Sequence, residues 1–533
     1  MSTRQISIST LSPLHIGCDD VFDPSQFVIA EQALHVLDPA VLAAALDDRE
    51  RQQLMKLAAE RDPIGPLQQF FKSRRERLAR LSTEIIDVAT DIARDYDERA
   101  GQIQARGGDG RPVYNLFPMA RTAYNPVDGV PYLPGSSIKG SLRTAWLNQL
   151  NKGNPPSEDE KRNPGKLQQR LLGYAPGKFE NDPFRHVRVA DAHANPDRNP
   201  PPTRISYAVS KKKRESERGS PELKIFLEAV RESLPSAFVG EIRFTGDAID
   251  WNHLCDACNA FYGPQLAGEL DHPQFGALLT PGWRQAVSRL LGSEMQDLMA
   301  AHQGFLLRVG RHSGAESVTL DGVRSIKILG AKGQPPSYRS TTTEKRFVSA
   351  TRAATEHLLP FGWLWIDGCD DAHQHLAIAM AETLSCLSQP IRDAHAQRLA
   401  RTEERRESQR RAAIAAEERA AVAETNALEV LRAAEARAAA LAAMSPNQRL
   451  IEEFVSEFRG RHERYPNTRE VPNAALHGKA RALAKAALEG PDWSLDEKRA
   501  AADAIEEWLP KVVKIDIKDE RKKLKLAVLR GKV

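Results

Sequence analysis

Short runs of hydrophobic residues, separated by polar residues, glycine and proline, predict strands over much of the first 390 positions. In the first run Ile6 and Ile8 alternate with serine and threonine, and Pro13 ends the run because proline cannot donate to a sheet. Two runs separated by Glu31 and Gln32 predict a hairpin. The predicted strands cover residues 6–11, 27–29, 34–37, 187–191, 205–209, 224–229, 238–244, 305–309 and 361–366.

Other stretches repeat their hydrophobic residues at helical spacing. Residues 395–443 contain no glycine or proline and consist mostly of alanine, arginine and glutamate, so they predict one continuous helix. Its large hydrophobic residues are too sparse for a coiled-coil heptad, which favours a solvated connecting helix. The predicted helices cover residues 39–99, 138–150, 250–266, 283–301 and 395–443.

The order of these elements predicts an α+β protein with several folded units, since 533 residues exceed one ordinary domain. We expect a first module at 1–245, with a helical insertion at 39–99, and a second module at 246–390. The long helix at 391–444 then connects to a small, mostly helical and basic C-terminal module at 445–533.

Composition narrows the class of protein. Hydrophobic residues make up 41% and charged residues 27%, which excludes a wholly disordered chain. No run approaches 18 hydrophobic residues, so a membrane span is excluded, and the first residues lack the apolar segment of a secretory signal. Five cysteines do not make a disulfide framework, which favours the cytoplasm. A net charge of +4 does not argue for nucleic acid, so only local clusters of basic residues can.

The first such cluster lies where a glycine turn enters a predicted helix, in the sequence PGSSIKGSLR at 134–143. Ser136 or Ser137 is the expected N-cap of this helix. The free backbone N–H groups and the helix dipole at a helix start can bind the phosphate of a phosphodiester. Lys139 and Arg143 are four positions apart and therefore lie on the same face of the helix. The order Lys-Gly-Ser differs from the P-loop pattern, which argues against nucleotide hydrolysis. The alternative is a structural turn without a ligand. The candidate RNA-binding residues are Gly135, Ser136, Ser137, Lys139, Gly140 and Arg143.

A second candidate is the glycine-rich loop that follows the predicted strand at 305–309. Its glycines allow a partner to approach the backbone, and its arginines and histidine supply donors. A basic run, KKKR at 211–214, is a further candidate for RNA contact. The alternatives are a water-facing hairpin and a solvated loop. The candidate residues are Arg308, Gly310, Arg311, His312, Ser313, Gly314, Lys211, Lys212 and Lys213.

Catalytic and metal-binding residues have weaker support in the sequence. His15 lies just after the first predicted strand, where a lone histidine more often packs than acts as an acid or base. Asp19 and Asp20 are adjacent, so their side chains are expected to point opposite ways. Cys255 and Cys258 have the spacing of zinc ligands but lack a second ligand pair. We therefore predict no metal and no cofactor.

Eight segments, in this order, resemble the RAMP superfamily of CRISPR effector proteins, and within it the family of fifth Csm subunits of type III-A complexes. The resemblance covers about residues 1–390 and none of 391–533. The segments are LSPLHIGCDD (11–20), FDPSQFVI (22–29), LHVLD (34–38), PYLPGSSIKGSLRTA (131–145), DPFRHVRVADA (182–192), LEAVRESLPSAFVGEIRF (227–244), FLLRVGRHSG (305–314) and LPFGWLWID (359–367).

This resemblance implies two RRM-like, ferredoxin-type modules in a non-catalytic, RNA-binding subunit. It implies a position at the 3′ end of the crRNA and a role in crRNA maturation and antiviral RNA targeting. The implied partners are crRNA, target RNA, neighbouring backbone RAMP subunits, through them the large polymerase-like subunit, and a host nuclease that trims crRNA.

The same resemblance carries one alternative function. Backbone RAMP subunits cleave target RNA with an aspartate in the loop after the first strand. That loop is short in this chain, which puts Asp19 and Asp20 in doubt as cleaving residues. The alternative is therefore a RAMP ribonuclease that uses His15, Asp19 or Asp20 on crRNA precursor or target RNA.

Overall fold

A computed structural model describes residues 1–82, 84–106, 108, 112–213, 225–328 and 334–532. Over these residues the chain is a mixed α+β protein that divides into two units, Met1–Gln409 and Arg410–Val533. None of the helices formed by the described residues is both long and apolar enough to cross a membrane.

All strands formed by the described residues lie in the first unit. They are β1 (Ser2–Thr10), β2 (Gly17–Val21), β3 (Phe27–Ala30), β4 (Ala33–Val36), β5 (Glu84–Val88), β6 (Ile103–Arg106), β7 (Pro112–Tyr114), β8 (Met119–Thr122), β9 (Val187–Val189), β10 (His193–Ala194), β11 (Thr203–Lys212), β12 (Phe226–Val230), β13 (Leu234–Phe244), β14 (Gly304–Arg308), β15 (Ile326–Ile328), β16 (Ser337–Arg339), β17 (Glu344–Ser349), β18 (Leu359–Pro360) and β19 (Trp363–Asp367).

The helices are spread over both units. They are α1 (Pro39–Ala45), α2 (Asp48–Ala58), α3 (Ile64–Lys72), α4 (Arg75–Ala79), α5 (Thr90–Arg99), α6 (Gly135–Asn151), α7 (Glu158–Arg162), α8 (Pro164–Leu172), α9 (Trp251–Leu270), α10 (Phe275–Leu278), α11 (Pro281–Leu291), α12 (Glu294–Ala300), α13 (Gln374–Ala443), α14 (Pro446–Arg464), α15 (Ala475–Glu489), α16 (Leu495–Val512), α17 (Ile517–Lys523) and α18 (Leu526–Leu529).

The first sheet is built around β1, which pairs antiparallel with β13 on one side and β19 on the other. Its order is β10-β13-β1-β19-β14, with β9 also paired to β13. The alternating Ile6 and Ile8 of β1 are buried, as the sequence predicts. Because β14 and β19 follow residue 246 and yet share this sheet with β1 and β13, the predicted module boundary at 245 does not divide the sheets.

The second sheet has β11 at its centre and the order β2-β8-β12-β11-β5-β4-β3, with β17 and β18 joined through β11. The predicted hairpin is confirmed as β3 and β4, and Glu31 and Gln32 at its turn have positive φ angles. The prediction that 39–99 is entirely helical is wrong, because β5 pairs with both β4 and β11. The predicted helix at 283–301 is two helices, α11 and α12, separated at Gly292.

The second unit has its own hydrophobic core, which includes Phe458, Ala480, Ile505 and Leu526. Its helices α14 to α18 follow the C-terminal part of α13. The helix predicted at 395–443 lies within α13, which begins earlier and contains Pro390. Lys224, at the start of a predicted strand, lies outside the described residues; β12 begins at Phe226.

Candidate nucleic-acid interface

Three segments that are far apart in the sequence meet at one place in the first unit. The Ser141 hydroxyl of α6 donates a hydrogen bond of 2.9 Å to the backbone carbonyl of Arg308, at the end of β14. The loop that follows β14 contacts the N-terminal loop, since the Arg311 N–H donates to the His15 carbonyl at 2.8 Å. The structure thus brings the second turn of α6 against the strand end that leads into the glycine-rich loop, two segments that sequence reasoning selected separately.

The first turn of α6 is packed against β9. The Gly135 N–H donates to Oδ1 of Asp191 at 2.7 Å, and a Cβ on Gly135 would lie 2.4 Å from the Val189 carbonyl oxygen. Only glycine therefore fits here, and its amide is already used within the protein. The N-cap is Pro134, which corrects the prediction of Ser136 or Ser137 as the cap. Ser136 and Gly140 are exposed, while Ser137 is half-buried.

The two cations of α6 differ in their surroundings. Arg143 forms an ion pair of 2.8 Å with Asp182, so an RNA phosphate would compete with this carboxylate. No ion pair or hydrogen bond joins the ammonium group of Lys139 to another described residue, and the group is half-buried. Burial and the positive charges of Arg143 and Arg188 lower the pKa of Lys139. A phosphate would relieve this repulsion, which favours Lys139 as the anion-binding residue of α6.

The glycine-rich loop bends tightly against the N-terminal loop. Gly310 has φ +88°, and a Cβ there would lie 2.4 Å from the His15 carbonyl oxygen. The buried Ser313 hydroxyl donates to the Gly310 carbonyl, so this side chain stabilises the bend. Gly314 also has φ +88°. These conformations hold the loop in one shape and leave Arg311 exposed.

Arg308 does not have the predicted role, because its side chain is 1% exposed. Its Nη1 lies 3.0 Å from Oε2 of Glu269, and its Nε donates to the Phe361 carbonyl at 2.9 Å. The guanidinium also lies over the ring of Trp363, at 4.6 Å from the centroid. Arg308 therefore stabilises the core, and we remove it from the candidate interface.

Two cations flank His312 on the open side of this loop. Arg311 is exposed and Arg346, on β17, is half-buried; neither guanidinium pairs with any residue that the structure describes. Burial, then Arg346 and Arg311, lower the pKa of His312 to about 3, so its imidazole is neutral near pH 7. His312 supplies at most one N–H donor, and the positive charge comes from the arginines.

The lysine run belongs to a strand rather than to a mobile loop. Lys211 and Lys212 end β11, and Lys213 forms an ion pair of 2.6 Å with Glu316. Lys211 stands opposite Lys345 of β17. Arg214 lies outside the described residues.

Sequence reasoning missed Arg188 and Arg346. Arg188 is exposed on β9 within the segment 182–192, and Arg346 precedes the buried Phe347 on β17. The alternation of charged and apolar residues at both positions was a usable signal. What was missing was the strand assignment at 344–349, in a segment rich in threonine and serine.

The three candidate catalytic residues, His15, Asp19 and Asp20, differ in their exposure to solvent. His15 is 0% exposed; its Nδ1–H donates to the Glu228 carbonyl at 2.6 Å, and burial lowers its pKa. Asp19 and Asp20 are exposed on β2, and Oδ2 of Asp20 accepts from the Tyr124 hydroxyl at 2.6 Å. His15 is thus out of reach of an RNA strand, whereas the two aspartates are accessible.

No metal-binding cluster of three or more histidine, cysteine or acidic residues occurs in the described part of the chain. Cys255 and Cys258 are buried on α9, and the Cys255 thiol contacts the His302 carbonyl at 3.6 Å. Burial raises the pKa of both thiols, which disfavours the thiolate that zinc requires. They belong to the hydrophobic core around α9.

Comparisons with known proteins point to one family. A model of the RAMP superfamily matches residues 7–251. The Csm5 protein of the CRISPR system of Streptococcus thermophilus is 25% identical over 195 residues, which are 36% of this chain and 51% of that protein. The chain therefore matches only about half the length of this curated relative.

Two solved structures are also similar. One is a chain of a Csm–crRNA–target RNA ternary complex from a type III-A system, with 18% identity and a TM-score of 0.42, over 69% of this chain and 100% of that one. The other is Csm5 of T. onnurineus, with 17% identity and a TM-score of 0.38, over 68% of this chain and 99% of that one.

Proposed function

Since a model of the RAMP superfamily matches residues 7–251, we propose that the protein is an RNA-binding, non-catalytic subunit of a type III-A CRISPR effector complex that caps the 3′ end of the crRNA. The family match and the Csm5 relative support this proposal. It includes two RRM-like modules, contact with a neighbouring backbone RAMP subunit, and assistance in crRNA maturation by a host nuclease.

The observation that carries the proposal is the contact of α6 with the end of β14, where the glycine-rich loop begins. On α6 and beside the glycine-rich loop, Lys139, Arg311 and Arg346 carry positive charges that form no ion pair with a described carboxylate. Ser136, Gly140 and Gly314 present small or absent side chains there, so a strand can approach the backbone closely. An interface of this kind contacts phosphates rather than bases.

Such an interface fits a guide RNA. The protein holds an RNA strand through its shape and phosphates, while base pairing to the target reads the sequence. The exposed side chains of this junction include no pair of aromatic rings for stacking, since Phe361 is fully buried and contacts His312 from within. We therefore expect affinity that is independent of the spacer sequence and sensitive to salt.

The double variant Arg311→Ala/Arg346→Ala tests this interface. It should weaken crRNA binding and reduce the slope of log affinity against log salt by about 1.4, or about 0.7 for each lost phosphate contact. Arg49→Ala/Lys56→Ala is the matched control, because both residues are exposed on α2 without ion pairs to described residues. Fluorescence anisotropy at several salt concentrations measures both quantities. Equal slopes for the two double variants would contradict the interface.

Exposure of the two aspartates on β2 favours one second function, a RAMP ribonuclease that uses Asp19 or Asp20. Their carboxylates are accessible, and Asp19 has an unusual φ of +59°. RNA cleavage by the assembled complex, with Asp19→Asn and Asp20→Asn tested singly, distinguishes the functions. Loss of cleavage with unchanged assembly would favour the ribonuclease, and unchanged cleavage supports the non-catalytic subunit.

A further inference from the structure

A cavity lies at one end of the nine-stranded sheet, apart from the proposed RNA interface. It has a volume of about 250 Å³ and is lined by polar side chains of β11, the end of β12, and the segments around 280, 349 and 357. Ala350 and His357 are exposed, so the cavity opens to the surface. Pockets for drug-sized ligands have volumes of about 300–1,000 Å³, and this one is of the size for a small group. None of the residues proposed for the RNA interface lines it.

Arg204 is the unusual residue of this cavity. Burial is the main cause that lowers the pKa of its guanidinium, followed by the positive charge of Arg231. No described side chain or carbonyl forms an ion pair or a hydrogen bond with this guanidinium. Asp87 lies opposite Arg204 on the neighbouring strand β5, but its carboxylate already forms an ion pair with Arg398. The carboxylates of Glu232 and Asp87 offset part of the cost of this burial from a distance, but neither forms an ion pair with Arg204. A bound anion would compensate the remaining cost.

The rest of the lining also favours an anion. Arg231 lies beside Arg204, and Glu232, the acidic residue of the lining, pairs with Arg231 at 3.0 Å. The net charge of these three side chains is therefore positive. The Ser206 hydroxyl, two residues from Arg204 and so on the same face of β11, has no hydrogen-bond partner in the described structure. A guanidinium with adjacent hydroxyl donors matches the oxygens of a phosphate.

We propose that this cavity binds a phosphate group, with Arg204 as its counter-ion and Ser206 as a second donor. The phosphate comes either from the end of an RNA strand or from a free mononucleotide. In the first case the cavity would fix a phosphorylated RNA end, and in the second it would be an independent nucleotide site. The proposal stands on the cavity alone and does not require the interface at Arg311 and Arg346.

Isothermal titration calorimetry of the full-length protein with inorganic phosphate, uridine 3′-monophosphate and uridine tests whether the cavity binds phosphate. We expect the two phosphate compounds to bind and uridine not to bind. Arg204→Met should weaken phosphate binding by about tenfold or more, as loss of a charged hydrogen bond does, and Ser206→Ala by less. Arg198→Met, an exposed arginine outside this cavity, is the control and should leave binding unchanged. If Arg204→Met does not fold, Arg204→Lys and Ser206→Ala provide the same comparison.

A short RNA with a 3′-phosphate, compared with the same RNA ending in a 3′-hydroxyl, identifies the source of the phosphate. A preference for the phosphorylated RNA that Arg204→Met removes supports the RNA end, while binding of the mononucleotide without such a preference supports the free nucleotide. Absence of phosphate binding, or binding unchanged by Arg204→Met, would overturn the proposal. Neither outcome affects the salt test of the RNA interface.

Discussion

Arg308 and Arg311 are three positions apart, and the sequence gives no reason to separate them. The structure does so through contacts that are distant along the chain. Arg308 forms an ion pair with Glu269 of α9, whereas the exposed side chain of Arg311 has no ion-pair partner in the described part of the chain. Residue types near a glycine-rich loop could be predicted, but which cation is free to bind depends on partners that local sequence does not reveal.

Arg308→Ala should destabilise the protein by about 3 kcal/mol, because it leaves the buried Glu269 with only Lys345, at 3.3 Å, as an ion-pair partner. Arg311→Ala, at an exposed and unpaired position, should change the free energy of unfolding by less than about 0.5 kcal/mol. Urea unfolding of both variants measures the difference. Similar effects in the two variants would mean that Arg308 is not a core residue.

Glu228 predicts a pH dependence of stability. Burial raises its pKa from 4.5 to about 7, although the Thr203 hydroxyl donates to it at 2.8 Å. The folded protein thus binds this proton more tightly than the unfolded chain, so the contribution is present below about pH 4.5 and is lost as pH rises toward 7. Relative to Glu228→Gln, the wild type should lose up to about 3 kcal/mol over this range. Urea unfolding from pH 4.5 to 7.5 measures the loss, and a constant difference between the two proteins would contradict it.

At the scale of elements, periodicity and turn residues predicted α6, β3, β4 and five strands of the first sheet, which are β1, β9, β13, β14 and β19. The prediction from periodicity failed at β5. Glu84–Val88 lies between two segments with helical periodicity and forms a strand because it pairs with β4 and β11. The prediction also failed at the start of α6, where the cap is set by packing on β9. In both places a distant element decides the local structure.

The bend at Gly310 gives a prediction at this scale. Gly310→Ala adds a side chain at positive φ and places its Cβ against the His15 carbonyl, so it should cost well over about 1 kcal/mol and displace the loop. Gly314→Ala has the same φ, but its nearest contact is a side-chain oxygen of Glu316 at 3.4 Å rather than a backbone carbonyl at 2.4 Å, so it should cost less. Thermal unfolding ranks the variants. The reverse order would show that the loop is not packed against His15.

For the whole molecule, the division between Gln409 and Arg410 predicts that the first unit folds alone. Residues 1–409 retain the hydrogen bonds from Arg405 and Gln409 of α13 to the backbone around 79–82. We expect this fragment to unfold cooperatively and to bind crRNA with the affinity of the full chain, because the proposed interface lies wholly within it. Circular dichroism and fluorescence anisotropy check these two properties. A large loss of affinity in a folded fragment would assign RNA binding to the second unit.

The central claim is that an RNA strand contacts the junction of α6 with the glycine-rich loop through phosphates. An electron-microscopy reconstruction of the purified complex with its crRNA tests it most directly. The account predicts crRNA phosphates within about 3 Å of at least two of Lys139, Arg311 and Arg346. A map in which protein covers this junction and no nucleotide approaches it would contradict the account.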